Sequence, residues 1–195
     1  MLVTDNELLG ESNLTDIIVS AVKGGVDAVQ IREKNMDYKD LFDLTYEIKN
    51  KLGNQALIFI NGNPEIAREL DVGLHLPSQF KLNNKFNHLI WGRSVHSVSD
   101  VVKAQEEGAS YVILGTIFKT TSKPKIKYAG TNLIKEVVSK LGAMQLIAIG
   151  GINLLNVGKV INAGATGVAV RESILKSINP EKTSKEFLAI INKNE

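Results

Sequence analysis

Gly24-Gly25-Val26-Asp27-Ala28-Val29-Gln30-Ile31-Arg32-Glu33-Lys34 is the stretch on which the fold turns. Its two glycines close a helix-prone segment, because a left-handed residue ends a helix and glycine takes that conformation without steric penalty. A short run follows that is apolar at Ala28, Val29 and Ile31, with Gln30, Arg32 and Lys34 interleaved. The phrase returns twice, as Gly108-Ala109-Ser110-Tyr111-Val112 and as Ala163-Gly164-Ala165-Thr166-Gly167-Val168. A chain that repeats helix stop and strand start in this way is built from βα units.

Working outward, apolar runs rich in β-branched residues mark strands at 2–4, 28–31, 57–60, 72–75, 89–91, 111–114, 146–149 and 167–170. Helix-prone stretches separate them at 14–23, 38–51, 64–70, 97–107, 132–140 and 155–163, with a last helix at 180–192. Between Pro77 and Phe86 there is room for a helical turn at most. Strands this apolar are those of a parallel sheet covered on both faces. Eight βα units close most economically as a small (β/α)8 TIM barrel, one α/β domain over residues 1–195, with an open doubly wound sheet as the other arrangement.

Composition narrows the function. The chain has 195 residues, 44% hydrophobic and 23% charged, enough for a sizeable core. Its 23 Lys+Arg against 21 Asp+Glu leave a net charge of +2, too balanced for a nucleic-acid surface but compatible with a local cationic pocket. Cysteine is absent, which removes disulfides, thiolate nucleophiles and thiolate metal sites. No signal peptide or long apolar run is legible, so a cytoplasmic protein is expected, without membrane partner.

A barrel of this kind works at the C-terminal ends of its strands. There, Gln30, Arg32 and Lys34 would alternate on one face and converge on a ligand, or else form a solvated strand end paired to nearby carboxylates. The other exits are polar too: Asn61-Gly62-Asn63, His75-Leu76-Pro77-Ser78, Arg93 to Ser97, and Gly115 to Lys123. Gly150-Gly151 after strand seven is either a tight turn or a phosphate cradle. Its place, with Arg171 and Ser173 after strand eight, favours phosphate. His75 and His96 stand at strand exits as candidate proton carriers, whereas His88 precedes strand five and reads as a surface residue.

Taken in order, QIREK, Asn61, GLHLPS, GRSVHS, GTIFKTTSK, IAIGGIN and GATGVAV resemble the thiamine phosphate synthase/TenI superfamily over essentially the whole chain. The resemblance implies a (β/α)8 barrel binding thiazole phosphate or thiamin phosphate at its C-terminal face. It implies a pyrimidine and diphosphate grip from Gln30, Arg32, Lys34 and Asn61, and a loop closing over phosphates through Thr120, Ser122 and Lys123. In the synthase branch, diphosphate leaves a pyrimidine carbocation that the thiazole nitrogen captures, with Mg²⁺ held by two carboxylates.

The positions of those carboxylates are Gly62 and Gln79 here, so no resident metal or other cofactor is expected, and Mg²⁺ enters only with the synthase reading. NG, LPS and GRSVHS resemble the TenI branch, whose activity is thiazole tautomerase. The histidine that the tautomerase branch places after the strand-six glycine is Thr116 here, which leaves Thr116, His75 and His96 as catalytic candidates. Glu172 occupies the place of a phosphate-binding serine, and would repel phosphate unless it turns outward or pairs with Arg171. The expected protein is a TenI-like thiazole tautomerase homologue acting on a phosphorylated small molecule, with a homodimer as a compatible assembly. A divergent thiamine phosphate synthase and a non-catalytic phosphate-ligand-binding protein are the alternatives.

Overall fold

The computed structural model describes residues 1–10, 12–82, 86, 88–120 and 128–194. Among them, eight parallel strands lie side by side in chain order: β1 (Leu2–Val3), β2 (Ala28–Ile31), β3 (Leu57–Asn61), β4 (Gly73–Leu76), β5 (Trp91–Val95), β6 (Tyr111–Leu114), β7 (Gln145–Ile149) and β8 (Gly167–Ala169). The sheet closes on itself. Val3 N–H donates to the Val170 carbonyl at 2.9 Å, and Val170 N–H to the Met1 carbonyl at 3.1 Å. This is the (β/α)8 barrel expected from the repeated phrase. Around it run α1 (Leu14–Lys23), α2 (Tyr38–Leu52), α3 (Pro64–Glu69), α4 (Val98–Glu106), α5 (Gly130–Val138), α6 (Val157–Ile161), α7 (Glu172–Leu175) and α8 (Pro180–Asn194).

Local chemistry starts and stops these helices. Asn13 Oδ1 accepts from Thr15 N–H at 2.8 Å, Asp37 from Asp40 N–H at 2.9 Å, and Asn63 from Ile66 N–H at 3.1 Å, each satisfying a donor that the first turn leaves free. The three glycines of the repeated phrase are left-handed, Gly25 at φ +101°, Gly108 at +86° and Gly164 at +102°. A side chain there would strain the backbone just where each helix hands over to the next strand.

Alternation along the strands divides the core in two. Outward residues such as Ile31, Ile60, Leu74 and Leu114 join the helices in one annular cluster. Inward residues Ala28, Phe59, Tyr111 and Ile113 form a second, smaller cluster inside the barrel. Large and small residues are matched within it. A Cβ on Gly73 would lie 2.3 Å from the Phe59 ring and one on Gly92 2.4 Å from the Tyr111 ring, so each aromatic occupies space that its neighbouring strand vacates.

The fifth strand corrects the sequence reading, which places it at 89–91. It runs instead from Trp91 to Val95, with Leu89 and Ile90 in the approach. Its hydrophobicity misleads because the strand contains a buried cation. Arg93 is 5% exposed, wedged outside the barrel where its guanidinium pairs with Glu107 at the end of α4 and donates to the Phe80 carbonyl. Helices α5 and α6 also begin two residues from where periodicity sets them, and the short α7 forms directly after the β8 exit.

Candidate functional site

The strand C-terminal ends enclose a cavity of about 360 Å³. Its walls follow from alternation: the inward positions that fill the barrel lower down become polar at the mouth. Gln30 and Arg32 come from β2 and its exit, Asn61 from β3, His75 from β4, and Ser94 and His96 from β5 and its exit. The loops after β6, β7 and β8 add Thr116, Thr120, Gly150, Gly151 and Arg171, and α7 adds Ser173. Most of the expected site residues therefore meet in one space.

Lys34 does not. It is exposed and lines a separate hollow with Asp5, Glu7 and Glu33. The alternation that would have aimed Gln30, Arg32 and Lys34 together ends with β2 at Ile31. Glu33 is then drawn to the β1 exit, where it accepts from Thr4 Oγ1 at 2.5 Å and from Asn6 N–H at 2.8 Å, and the chain turns away towards α2. Of the expected trio, two side chains converge. Ser122 and Lys123 lie outside the described residues.

The cations are the main electrostatic feature. Arg32 is partly buried, and its side chain takes no hydrogen-bond acceptor from the described residues. Burial, and then the neighbouring Arg171 guanidinium, lower its pKa. Arg171 is braced by Asp5, with Nη1 to Oδ2 at 2.6 Å, and lies 3.4 Å from Glu172 Oε1. Glu172 thus has the arginine partner that would spare an incoming anion some of its repulsion. Lys119 adds a third cation to the wall.

The glycines after β7 have two uses. Gly150 at φ +107° and Gly151 at +64° lie against the β6 loop, where added Cβ atoms would come within 2.6 Å of the Thr116 methyl and 2.3 Å of the Lys119 carbonyl. Ile117 N–H donates to the Ile149 carbonyl and Phe118 N–H to the Gly150 carbonyl, which fixes the β6 loop beside the cradle. Among the described residues, none accepts from the N–H groups of Gly150, Gly151 or Ile152. Ser173 donates its hydroxyl to the Ile152 carbonyl at 2.9 Å and so ties α7 to this cradle.

The histidines differ in kind. His75 is 1% exposed, with Nδ1 at 3.1 Å from the Tyr111 hydroxyl and Nε2 at 2.8 Å from Ser94 Oγ. Burial first, and the charge of Arg32 second, lower its pKa from 6.5 to about 3, so it is a neutral imidazole. His96 is exposed on the wall and bonds the Gly115 carbonyl through Nδ1, which leaves Nε2 as the lone-pair side of the neutral ring. His88 is exposed in a hollow at the opposite, N-terminal end of the barrel.

Sequence reasoning gave no individual role to Asp5, Ser94, Lys119 or Tyr111, although Ser94 and Lys119 lie within the polar exits it marked at 93–97 and 115–123. Period-two alternation carries the signal for Asp5 and Ser94, two places beyond Val3 and Gly92, once β5 is set in its true register.

A divalent metal fits these residues poorly. Gly62 has no side chain and sits at φ +73°, and no residue from His75 to Phe80 is acidic. Among the described residues, no group of three or more His, Cys, Asp or Glu side chains could hold a metal ion. Octahedral Mg²⁺ needs carboxylate oxygens in addition to those of a phosphorylated ligand.

Fold and site together define a (β/α)8 barrel with an arginine-lined cavity at its mouth, between its last two strands and its second. The family model described as thiamine monophosphate synthase matches residues 1–174, and the chain belongs to this family. It is 31% identical to the thiamine-phosphate synthase of Roseiflexus sp. (strain RS-1), over 97% of this chain and 84% of that one. It is equally 31% identical to the thiamine-phosphate synthase of Clostridium tetani (strain Massachusetts / E88), over 98% and 94%. Among solved structures, thiamine phosphate pyrophosphorylase from Pyrococcus furiosus shares the fold with a TM-score of 0.89 at 24% identity, covering 99% of this chain and 95% of that one. These relatives carry the synthase name, and none singles out the tautomerase branch. No described helix is long and apolar enough to cross a membrane.

Proposed function

We propose that this chain is a thiamine-phosphate synthase homologue that joins a pyrimidine methyl diphosphate to a thiazole phosphate. The observation that carries this reading is the pairing of Arg32 and Arg171, facing one cavity, with the N–H groups of Gly150, Gly151 and Ile152, for which no described residue is an acceptor. Two anionic groups have separate places to go. The thiazole phosphate takes the backbone cradle, and the diphosphate takes the guanidiniums.

In this reaction the bond between the pyrimidine methylene carbon and the diphosphate oxygen breaks, and its electron pair leaves with the diphosphate. The thiazole nitrogen lone pair then forms the new C–N bond. Charge grows on the departing oxygens, so cations already in place lower the barrier more than cations that must be recruited. Arg171, held by Asp5, is such a cation. Gly62 and Gln79 supply no carboxylate for Mg²⁺ at the positions that the family resemblance implies, so these roles are assigned to the protein's own groups. Gln30, 2% exposed, lies at the cavity floor where the ring would rest.

A second reading, thiazole tautomerisation, is favoured by His96, a wall imidazole whose Nδ1 bond leaves Nε2 able to accept a proton. Thr116, in the place implied for the tautomerase histidine, has a hydroxyl that does not titrate near neutrality. One experiment separates the two. The purified chain is incubated with both synthase substrates, with and without Mg²⁺, and separately with the carboxythiazole phosphate tautomer, and products are followed chromatographically. Thiamine phosphate formation supports the first reading, and aromatised thiazole alone supports the second. Ligand binding without turnover sinks both and leaves a phosphate-ligand-binding protein.

A further inference from the structure

Below the cavity, the barrel interior holds a polar chain that the anion-binding account does not use. The Tyr111 hydroxyl on β6 meets His75 Nδ1 on β4 at 3.1 Å, and His75 Nε2 meets Ser94 Oγ on β5 at 2.8 Å. Tyr111 is 5% exposed and His75 1%, so both partners are shielded from bulk water. Ser94 and His75 reach the cavity wall, whereas Tyr111 lies beneath it, packed edge-on to Phe59 at 5.0 Å and against Gly92. Among the described residues, the Tyr111 hydroxyl has no acceptor other than His75.

Donor counting fixes the direction of this chain. A neutral imidazole carries one N–H and one lone pair. If Tyr111 donates to Nδ1, the imidazole proton sits on Nε2 and is given to Ser94 Oγ, and the Ser94 proton is free to point into the cavity. In the opposite direction Ser94 donates to Nε2, Nδ1–H donates to Tyr111, and the Tyr111 proton is buried without an acceptor. The second arrangement forfeits a hydrogen bond at a site shielded from bulk water. A doubly protonated ring is opposed by the same burial and by Arg32.

We propose that Tyr111 and His75 are positioning residues that hold Ser94 as a one-way hydrogen-bond donor, so that the cavity floor selects a ligand atom presenting a lone pair. A neutral donor at the floor leaves the charged groups to Arg32 and Arg171 at the mouth. This inference rests on the proposed function for its probe, thiamine phosphate.

Calorimetric binding of thiamine phosphate is measured for the wild type, Ser94→Ala, Tyr111→Phe and the double variant, with thermal melts confirming that each is folded. Each single change is expected to weaken binding about three- to tenfold, the worth of one neutral hydrogen bond. The double variant is expected to bind no more weakly than Ser94→Ala, because Tyr111 acts only through Ser94. Losses that multiply, or a Tyr111→Phe protein that binds like the wild type, overturn the proposal. Long-range proton–nitrogen correlation NMR on the three histidines tests it without ligand. His75 is expected with its proton on Nε2 near neutrality, and a proton on Nδ1 overturns the relay. A wild type that fails to bind thiamine phosphate removes the proposed function, while the NMR result still decides the relay.

Discussion

Acid should destabilise this barrel through one residue. His75 is buried with both ring nitrogens bonded, and its pKa in the fold lies at about 3 against 6.5 for the free side chain. Because the folded value is the lower, the unfolded chain takes up the proton first, and stability rises with pH across the window. The contribution is complete above about pH 6.5 and is lost as pH falls towards 3. Each pH unit below the upper value removes about 1.4 kcal/mol, so a step from about pH 7 to about pH 5 should cost roughly 2 kcal/mol. With a urea dependence of about 2–3 kcal/mol per molar, the unfolding midpoint should fall by roughly 0.8 M. His75→Gln keeps hydrogen-bonding groups but does not titrate, and should lose most of this pH dependence while being less stable at neutrality. A wild-type midpoint that is the same at both pH values, or a His75→Gln protein with an undiminished shift, would refute the assignment of a neutral, buried imidazole.

Arg32→Met should weaken diphosphate binding about 10- to 100-fold by calorimetry, since it removes a charged donor that no described residue satisfies. Gly151→Ala should disturb both the cradle and the β6 loop, because its Cβ would meet the Lys119 carbonyl at 2.3 Å; a drop of several degrees in the melting temperature is expected, with loss of thiazole phosphate binding. Gly62→Asp with Gln79→Asp should introduce Mg²⁺-dependent condensation. At position 62 the added Cβ meets only Pro77, at 3.8 Å, although the φ of +73° strains any side chain there, so folding is checked by a thermal melt; a folded double variant with unchanged EDTA-insensitive behaviour counts against the role of the two carboxylates. Thr116→His should raise thiazole tautomerase turnover near neutrality, and a fast wild type slowed by this change would send the proton through His96 instead.

The fold was legible because its signals are local. Gly25, Gly108 and Gly164 each mark a left-handed helix stop before a strand, and a sequence can announce that without reference to distant residues. The fifth strand hid because its chemistry is tertiary. Arg93 reads as polar and therefore as a strand exit, yet Glu107 and the Phe80 carbonyl, both distant in sequence, make it a buried strand residue. The matched pairs Gly73 with Phe59 and Gly92 with Tyr111 are likewise invisible until the strands stand side by side.

The site was legible to the depth that alternation allows. Gln30 and Arg32 follow from period two, and Lys34 fails because the strand ends before reaching it. Glu172 is the more instructive case. Read alone, a carboxylate in a phosphate cradle is a contradiction, and the neighbouring Arg171 is one of its partners. Arg171 and Glu172 cancel in charge, and Asp5 from the other end of the chain takes up a further guanidinium edge. The pair therefore leaves the net charge at the mouth unchanged while placing new donors beside it. Arg32 is left as the guanidinium without a hydrogen-bonded carboxylate among the described residues, and an incoming anion would be drawn to it first. Removing Asp5 should consequently weaken anion binding less than removing Arg32, since Asp5→Asn keeps a hydrogen-bond acceptor for Arg171 and frees positive charge at the same mouth. A larger loss from Asp5→Asn than from Arg32→Met, measured with inorganic diphosphate, would show that Arg171 is the primary ligand and Arg32 its support.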